Sequence, residues 1–273
     1  MLLAIDIGNS SIKFGIFDRG SLFHKFSIQT KRDYTAEELM FDRLKLVEDQ
    51  FIQVDIAECI AASVVPELNA VVAQVCRELF KVTTRFVDAS WDLGLNIKYD
   101  EPETLGADRL VNAYAAVRKY GAPSIICSFG TATTIDAVNG AGDFLGGVIA
   151  PGLLVSAKAL QLMTAKLPNV AIEMPRTVFG TNTTGSIQAG IVFGHAAMTD
   201  GIIRRMLLET AGFSASAELN IVATGGFVRV IAPEVPSITQ VDENLTLEGL
   251  RMLAEGGESA NGEAVHRPLI SDI

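Results

Sequence analysis

The chain has 273 residues, enough for two modest domains or one large one, and 49% of them are hydrophobic. Its net charge of −10 and pI near 4.8 argue against a surface that neutralises nucleic-acid phosphates or binds anionic lipid. We therefore expect a metabolic protein with no nucleic-acid partner and no membrane partner.

The cysteines and the first residues favour a cytoplasmic protein. Cys59, Cys76 and Cys127 lie in apolar surroundings without a CxxC pair, which predicts buried thiols rather than a zinc or redox site. The opening MLLAIDIGNS has no basic flank and meets a carboxylate at Asp6, unlike a signal peptide or a membrane span. We expect the reducing cytoplasm.

The first part of the chain alternates between strand and helix patterns. Two apolar runs flank the small polar residues Gly8–Ser11 and predict a β-hairpin. Thr35 and Glu38 match a capping box, which predicts a helix from Ala36 to about Phe51. The next predicted elements are a strand near 56–64, a helix from about 66, a strand at 85–87 and a helix over 107–119.

An internal repeat divides the chain into two halves. The segment ICSFGTATTIDAV resembles AIDIGNSSIKFGI, and aligning Gly130 with Gly8 places Ser128 against Asp6; chance likeness of short Gly/Ser/Thr stretches is the alternative. After the second hairpin, FLGGVIAPG predicts a helix with Pro151 near its first position, and ELNIVATGG predicts a strand that leads into another helix. Strands that alternate with helices predict an α/β fold. The expected domains are 1–120 and 121–255, followed by a loose tail over 256–273.

The first hairpin has the composition of a phosphate-binding loop. Gly8 permits a tight turn, Asn9–Ser11 offer small donors, and Lys13 can reach the same anion. Asp6 at the strand end can hold Mg²⁺, through water, beside nucleotide oxygens. The simpler interpretation is a hairpin with a solvated carboxylate and lysine. Neither GxxxxGK[ST] nor GxGxxG occurs, which excludes the P-loop and Rossmann fingerprints.

The second hairpin and two glycine pairs could serve the same ligand. Thr131 and its neighbours Thr133 and Thr134 offer hydroxyl and backbone donors, although threonines also simply favour strands. The pairs Gly146/Gly147 and Gly225/Gly226 could admit a nucleotide close to the backbone, but each pair alone is more often a packing device.

A carboxylate and a guanidinium stand together at the predicted start of the helix over 107–119. Asp108 could accept a hydroxyl proton and Arg109 could bind an anion, two roles that phosphoryl transfer to an alcohol requires. The alternative is that Asp108 only complements the helix dipole. The histidines, His24, His195 and His266, are scattered and are interpreted as structural or solvated.

Six motifs together resemble one family, the type III pantothenate kinases. They are DIGNSSIK, YDEPETLGADR, SFGTATTID, GGVIAPG, FGTNTTGSIQAG and ATGG, in this order over about Met1 to Leu253. The resemblance implies the duplicated actin-like (ribonuclease H-like) ATPase fold of the acetate and sugar kinase, Hsp70 and actin superfamily, with two similar halves of mixed sheets flanked by helices. It also implies a homodimer that phosphorylates pantothenate with ATP to 4′-phosphopantothenate, the first step of coenzyme A biosynthesis.

The resemblance also assigns roles to residues. Asp108 would be the general base. The ATP-binding residues would be Asp6, Ile7, Gly8, Asn9, Ser10, Ser11, Ile12, Lys13 and Thr131. The pantothenate pocket would be lined by Tyr99, Gly106, Ala107, Asp108, Arg109 and Thr183. Arg109 could pair with the pantothenate carboxylate or with the γ-phosphate, and both roles stay open.

One position departs from the family pattern. The family usually has an acidic residue two positions before the second hairpin glycine, where it ligates a monovalent cation (K⁺ or NH₄⁺), and this chain has Ser128. A hydroxyl is a neutral and weaker ligand than a carboxylate, so we expect weaker or altered K⁺ dependence.

Two other functions stay open on the same fold. One is a kinase of a different alcohol, because the phosphate loops do not fix the acceptor. The other is a non-enzymatic regulatory paralogue. Ser128 favours this alternative, whereas the presence of Asp6, Asp108 and Arg109 argues against it.

Overall fold

The computed structural model describes residues 1–40, 55–209 and 218–256 of the chain. The described chain divides into two compact units. The first comprises Met1–Leu93, Glu101–Ala115 and the described residues from Thr246 onward; the second comprises Gly94–Asp100 and Ala116–Leu245. The domain limits of 1–120 and 121–255 stay predictions, and the tail over 256–273 lies outside the described residues except for its first residue.

The first unit contains a five-stranded mixed sheet. Its strands are β1 (Leu2–Ile7), β2 (Ser11–Asp18), β3 (Ser21–Gln29), β4 (Glu58–Ser63) and β5 (Thr84–Val87), in the order β3-β2-β1-β4-β5. β1, β2 and β3 form an antiparallel meander, whereas β4 and β5 run parallel to β1. The predicted hairpin is therefore confirmed, and the sequence did not reveal its third strand.

The second unit repeats this order and adds one edge strand. Its strands are β6 (Asn96–Ile97), β7 (Ser124–Phe129), β8 (Ala132–Val138), β9 (Asp143–Pro151), β10 (Asn220–Thr224) and β11 (Gln240–Val241), in the order β11-β10-β7-β8-β9-β6. β7, β8 and β9 correspond to β1, β2 and β3, and β10 runs parallel to β7 as β4 does to β1. The same topology in both units confirms the duplication.

Helices cover the sheets. They are α1 (Ala36–Leu39), α2 (Asn69–Phe80), α3 (Ala107–Tyr120), α4 (Leu153–Met163), α5 (Thr183–Glu209), α6 (Val228–Ile231) and α7 (Leu245–Gly256), and a 3₁₀ turn at Pro66–Leu68 precedes α2. The capping box of Thr35 and Glu38 is confirmed, with both reciprocal hydrogen bonds present. The rest of the helix predicted to end near Phe51 lies outside the described residues.

One helix start was predicted wrongly. Pro151 is the last residue of β9, and α4 begins at Leu153 after Gly152. Because Gly152 has extended backbone angles (φ −71°, ψ 171°), it acts as the N-cap and the proline still belongs to the strand.

Each unit has its own apolar core. In the first, β1, β2 and β4 bury Ile5, Phe14 and Ile60 completely. In the second, Phe129 and Ile135 of the central strands pack with residues of α4 and α5 in one cluster. The three cysteines are buried and free, as predicted. Within the described residues, no helix is long and apolar enough to cross a membrane.

Candidate active site

The turn of the first hairpin is held from outside by the chain that follows β3. The Gly8 amide donates to the Ser11 carbonyl at 3.1 Å, and Thr30 Oγ1 donates to the Gly8 carbonyl at 2.6 Å. Arg32 Nη2 donates to Asn9 Oδ1 at 3.1 Å. Asn9 and Ser10 lie at the exposed tip. The turn is thus fixed in shape while its tip stays accessible to a ligand.

Asp6 and Lys13 form an ion pair across this hairpin. They are register partners on β1 and β2, and Lys13 Nζ lies 2.9 Å from Asp6 Oδ2. The Asp6 side chain is 9% exposed and that of Lys13 is 36% exposed. Both residues belong to the predicted phosphate site, but their pairing was not part of that prediction. Counting outward from a tight turn at Gly8–Ser11 would have placed them opposite each other.

Lys13 is held in its charged form by two carboxylates. Its pKa is raised above the ordinary value of 10.5, first by the charge of Asp6, then by the hydrogen bond to Asp6 and by the charge of Asp108, while burial opposes the shift. The raised pKa of a lysine stabilises the folded protein fully at pH values below the unfolded pKa, and this stabilisation is lost only as the pH rises through the folded pKa. The charge therefore persists at neutral pH.

The start of α3 carries Asp108 and Arg109. Asp108 lies in the first turn, as predicted, and its Oδ1 accepts the Arg109 amide hydrogen at 2.9 Å. A Cβ at Gly106 would lie 2.7 Å from that same oxygen, so the glycine provides the space in which the carboxylate sits. Arg109 and Ala107 are buried, at 6% and 7% exposure, whereas Asp108 is half-buried.

The first unit therefore brings together three of the predicted residues: Asp6, Lys13 and Asp108. A Cβ at Gly106 would lie 3.6 Å from Val64, whose amide donates to the Ile7 carbonyl at the end of β1, so the start of α3 lies beside the strand that carries Asp6. The charge of Asp108 accordingly contributes to the raised pKa of Lys13. In such a cluster a carboxylate can accept a proton from one reactant while the cation binds an anionic group of the other.

The second hairpin is supported by the residue that caps α4. Thr131 and Gly130 form the turn between β7 and β8, and the Gly152 amide donates to the Thr131 carbonyl at 3.0 Å. A Cβ at Gly152 would lie 2.3 Å from the carbonyl oxygens of both turn residues. Gly152 is not among the predicted site residues, although its position directly after a strand and before a helix was a signal. Ser128, half-buried, lies opposite Thr134 on β8.

The two remaining predicted residues lie in different parts of the second unit. Thr183 is the exposed first residue of α5 and lines a pocket of ≈ 870 Å³ between α4, the segment before α5, and α5 itself. Tyr99 follows β6, and its ring faces Gly146 of β9.

His195 lines the same pocket and has a structural partner. Its Nε2 lies 3.1 Å from Thr133 Oγ1, and the residue is 7% exposed. Burial lowers its pKa, although a hydrogen bond to the Pro151 backbone opposes this. His195 is thus a neutral link between β8, β9 and α5, as the structural interpretation expected. Pairing of His195 with Thr133 could not be read from their spacing.

The described residues contain no group of three or more His, Cys, Asp or Glu side chains that could hold a metal ion. A divalent ion at Asp6 would therefore need oxygens from a ligand and from water. This is the usual situation for Mg²⁺ beside nucleotide phosphates.

Structural similarity extends over most of the chain but shows only the fold. A Baf family transcriptional activator from Campylobacter jejuni has a TM-score of 0.54 and 19% identity, covering 94% of this chain and 100% of that one. Component A of (R)-2-hydroxyglutaryl-CoA dehydratase from Acidaminococcus fermentans has a TM-score of 0.52 and 13% identity, covering 91% and 94%. They confirm the duplicated actin-like ATPase fold that the strand order indicates.

Sequence similarity is closer and identifies the family. Residues 2–205 match the family model described as type III pantothenate kinase. Type III pantothenate kinases from Citrifermentans bemidjiense and Halalkalibacterium halodurans are 43% and 39% identical to it, each covering 93% of this chain and 98% of the relative. The first hairpin, the start of α3 and the duplicated sheet agree with this sequence match, and the chain belongs to the type III pantothenate kinase family.

Proposed function

We propose that this protein transfers the γ-phosphoryl group of ATP to the primary hydroxyl of pantothenate, the first step of coenzyme A biosynthesis. The observation that carries the proposal is the charged cluster of Asp6, Lys13 and Asp108 in a chain of this family. The nucleotide would contact residues 6–13 and Thr131. Pantothenate would contact Tyr99, residues 106–109 and Thr183.

Asp108 is the proposed general base. Its carboxylate takes the hydroxyl proton as the pantothenate oxygen forms a bond to the γ-phosphorus, and the bond from that phosphorus to the bridging oxygen breaks to release ADP. Gly106 leaves room for this carboxylate, since a Cβ there would lie 2.7 Å from Asp108 Oδ1. Lys13 and the hairpin amides stabilise charge on the phosphoryl oxygens.

Mg²⁺ fits the chemistry of Asp6. Lys13 occupies Asp6 Oδ2, which leaves Oδ1 as an acceptor for a water of the ion. When bound, Mg²⁺ would supply positive charge that stabilises the phosphate oxygens of the nucleotide. The part that the chain itself supplies is a carboxylate whose position is fixed by its pairing with Lys13.

The site of the monovalent cation is expected to be weakened by Ser128. We expect kcat/KM to differ little between K⁺ and Na⁺ solutions. Ser128→Asp should enlarge this difference, because a carboxylate is a stronger oxygen ligand for K⁺ than a hydroxyl. Turnover is measured in both salts for both proteins. Strong K⁺ activation of the unaltered protein that Ser128→Asp does not increase would contradict this expectation.

A homodimer is also proposed. Large apolar side chains of α4 and of the segment before α5 are exposed, and they lie in the second unit: Leu154, Leu162, Met163, Val178 and Phe179. Sedimentation at micromolar concentration should give twice the mass of one chain. The double variant Leu162→Glu/Met163→Glu should give the mass of a single chain. A monomer before substitution would remove this part of the proposal.

The activity is tested by following ADP release with ATP and Mg²⁺ in the presence of pantothenate or of other alcohols. Turnover that depends on pantothenate supports the proposal. Turnover with another alcohol alone would indicate a different acceptor, and folded protein without turnover would indicate a non-enzymatic role.

A further inference from the structure

Tyr99 follows an edge strand that has very few backbone contacts. β6 contributes only Asn96 and Ile97 to the ladder with β9. Two further hydrogen bonds extend this pairing: the Asn96 amide donates to the Gly142 carbonyl at 3.0 Å and the Lys98 amide to the Phe144 carbonyl at 2.9 Å. So short an edge strand needs side-chain contacts to fix its position.

Asp143, the first residue of β9, supplies those contacts. Its Oδ1 accepts a hydrogen bond from Asn96 Nδ2 at 2.9 Å, and Lys98 Nζ lies 3.9 Å from the same oxygen. Its Oδ2 accepts from Asn139 Nδ2 at 2.9 Å. The pKa of Asp143 is lowered, first by the bond from Asn139 and then by that from Asn96, so the carboxylate is charged at neutral pH.

Asn139 prevents the carboxylate from rotating. Its Oδ1 accepts the amide hydrogens of Ala141 and Asp143, both at 2.9 Å, which fixes the amide group in one orientation. The Asn139 NH₂ group then holds one oxygen of Asp143, and the other oxygen must face β6. The carboxylate is thus a rigid bracket between the turn after β8 and the strand that leads to Tyr99.

The ring of Tyr99 packs on the backbone of β9 at a glycine. Gly146 has φ +97°, a conformation that favours glycine, and a Cβ there would lie 3.5 Å from Cδ2 and 3.6 Å from Cε2 of Tyr99. The same strand therefore anchors the approach to Tyr99 at Asp143 and supports its ring three residues later.

We propose that Asp143 is a positioning residue that holds Tyr99 and thereby sets the affinity for pantothenate, an inference that rests on the proposed function through the role of Tyr99. Loss of the bracket frees β6 and lets the ring leave Gly146. Because neither hairpin turn takes part in this bracket, the KM for pantothenate changes while the KM for ATP does not.

Substitutions that exchange the partners test the bracket directly. Asn96→Asp sets two carboxylates against each other, and Asp143→Ala removes the acceptor; each should raise the KM for pantothenate about 10-fold with little change in kcat. The double variant N96D/D143N restores the pair with donor and acceptor reversed, and its new amide oxygen can still accept from Asn139. It should return the KM to within about 2-fold of the unaltered value.

Asp200→Ala is the matched control. Asp200 lies in the same unit and also accepts hydrogen bonds from two side chains, Ser237 and Arg204, and neither bond involves a residue of β6 or β9. Its KM for pantothenate should stay unchanged. An equal rise in the control would show that general loosening of the second unit, rather than the bracket, causes the effect.

A second readout does not depend on catalysis. Nitration by tetranitromethane adds at the Cε positions of tyrosine, and mass spectrometry of peptides measures Tyr99 alone, without any substrate present. Tyr99 should react faster in Asp143→Ala and Asn96→Asp, and at the original rate in N96D/D143N. Unchanged nitration in both single variants would overturn the proposal, whatever the protein phosphorylates. Altered nitration without pantothenate turnover would instead overturn the proposed function and keep the bracket.

Discussion

Replacing Asp108 with asparagine is expected to lower kcat by about 10²- to 10⁴-fold, the usual contribution of a general base. The amide has the same shape and can still accept the Arg109 amide hydrogen, which the carboxylate accepts at 2.9 Å, so the start of α3 should remain folded. What is lost is the ability to take the hydroxyl proton. Steady-state kinetics with saturating pantothenate measure the effect.

Glu37→Gln is the matched control for Asp108→Asn. Glu37 also lies in the first turn of a helix of the first unit, and it is exposed. If Asp108 served only the helix dipole, both changes would cost roughly 0.3–1 kcal/mol of stability and leave kcat alone. A fall in kcat in Asp108→Asn alone, with equal melting temperatures of the two variants, identifies Asp108 as the base. Equal kcat in both variants would show that Asp108 is not the base.

Replacing Gly152 with alanine is expected to disturb the second hairpin turn and raise the KM for ATP. The backbone angles of Gly152, φ −71° and ψ 171°, suit alanine, so the effect comes from space alone. A Cβ would meet the carbonyl oxygens of Gly130 and Thr131 at 2.3 Å, and backbone cannot yield as a flexible side chain does. We expect a loss of about 1–3 kcal/mol of stability and an increase of the KM for ATP.

Gly201→Ala is the control for the exchange of glycine by alanine at a position with free space. Outside its own helix, no atom of the described residues lies within 4 Å of a Cβ at Gly201, in the interior of α5. That change should raise stability by about 0.5–1 kcal/mol, since alanine favours a helix more than glycine does. If Gly152→Ala lowers the melting temperature but leaves the KM for ATP unchanged, the role proposed for Thr131 is wrong.

The parts of the fold that could be predicted were those fixed by local sequence. Gly8 and Gly130 sit between apolar runs with strand periodicity, and each does lie in a hairpin turn. The helix predicted over 107–119 is α3, at Ala107–Tyr120, and the apolar residues that predicted it by their helical spacing, Leu110, Ala113, Tyr114 and Val117, are buried. β3 was missed because its sequence has no continuous apolar run, although its residues alternate between exposed and half-buried as those of a strand do.

The parts of the site that could not be predicted depend on contacts distant in sequence. The Tyr99 ring meets Gly146, Asn96 binds Asp143, and both contacts require the pairing of β6 with β9. No local rule pairs a two-residue strand with one almost fifty positions later. By contrast, Asp6 and Lys13 could have been paired from the length of the hairpin turn alone.

The most direct measurement is ³¹P NMR of ATP and Mg²⁺ incubated with pantothenate and the protein, with Asp108→Asn alongside. The proposed function predicts a phosphomonoester signal that grows only with pantothenate, matches ADP in amount and is lost in the variant. Inorganic phosphate as the sole product, or a phosphomonoester formed equally by Asp108→Asn, would contradict it.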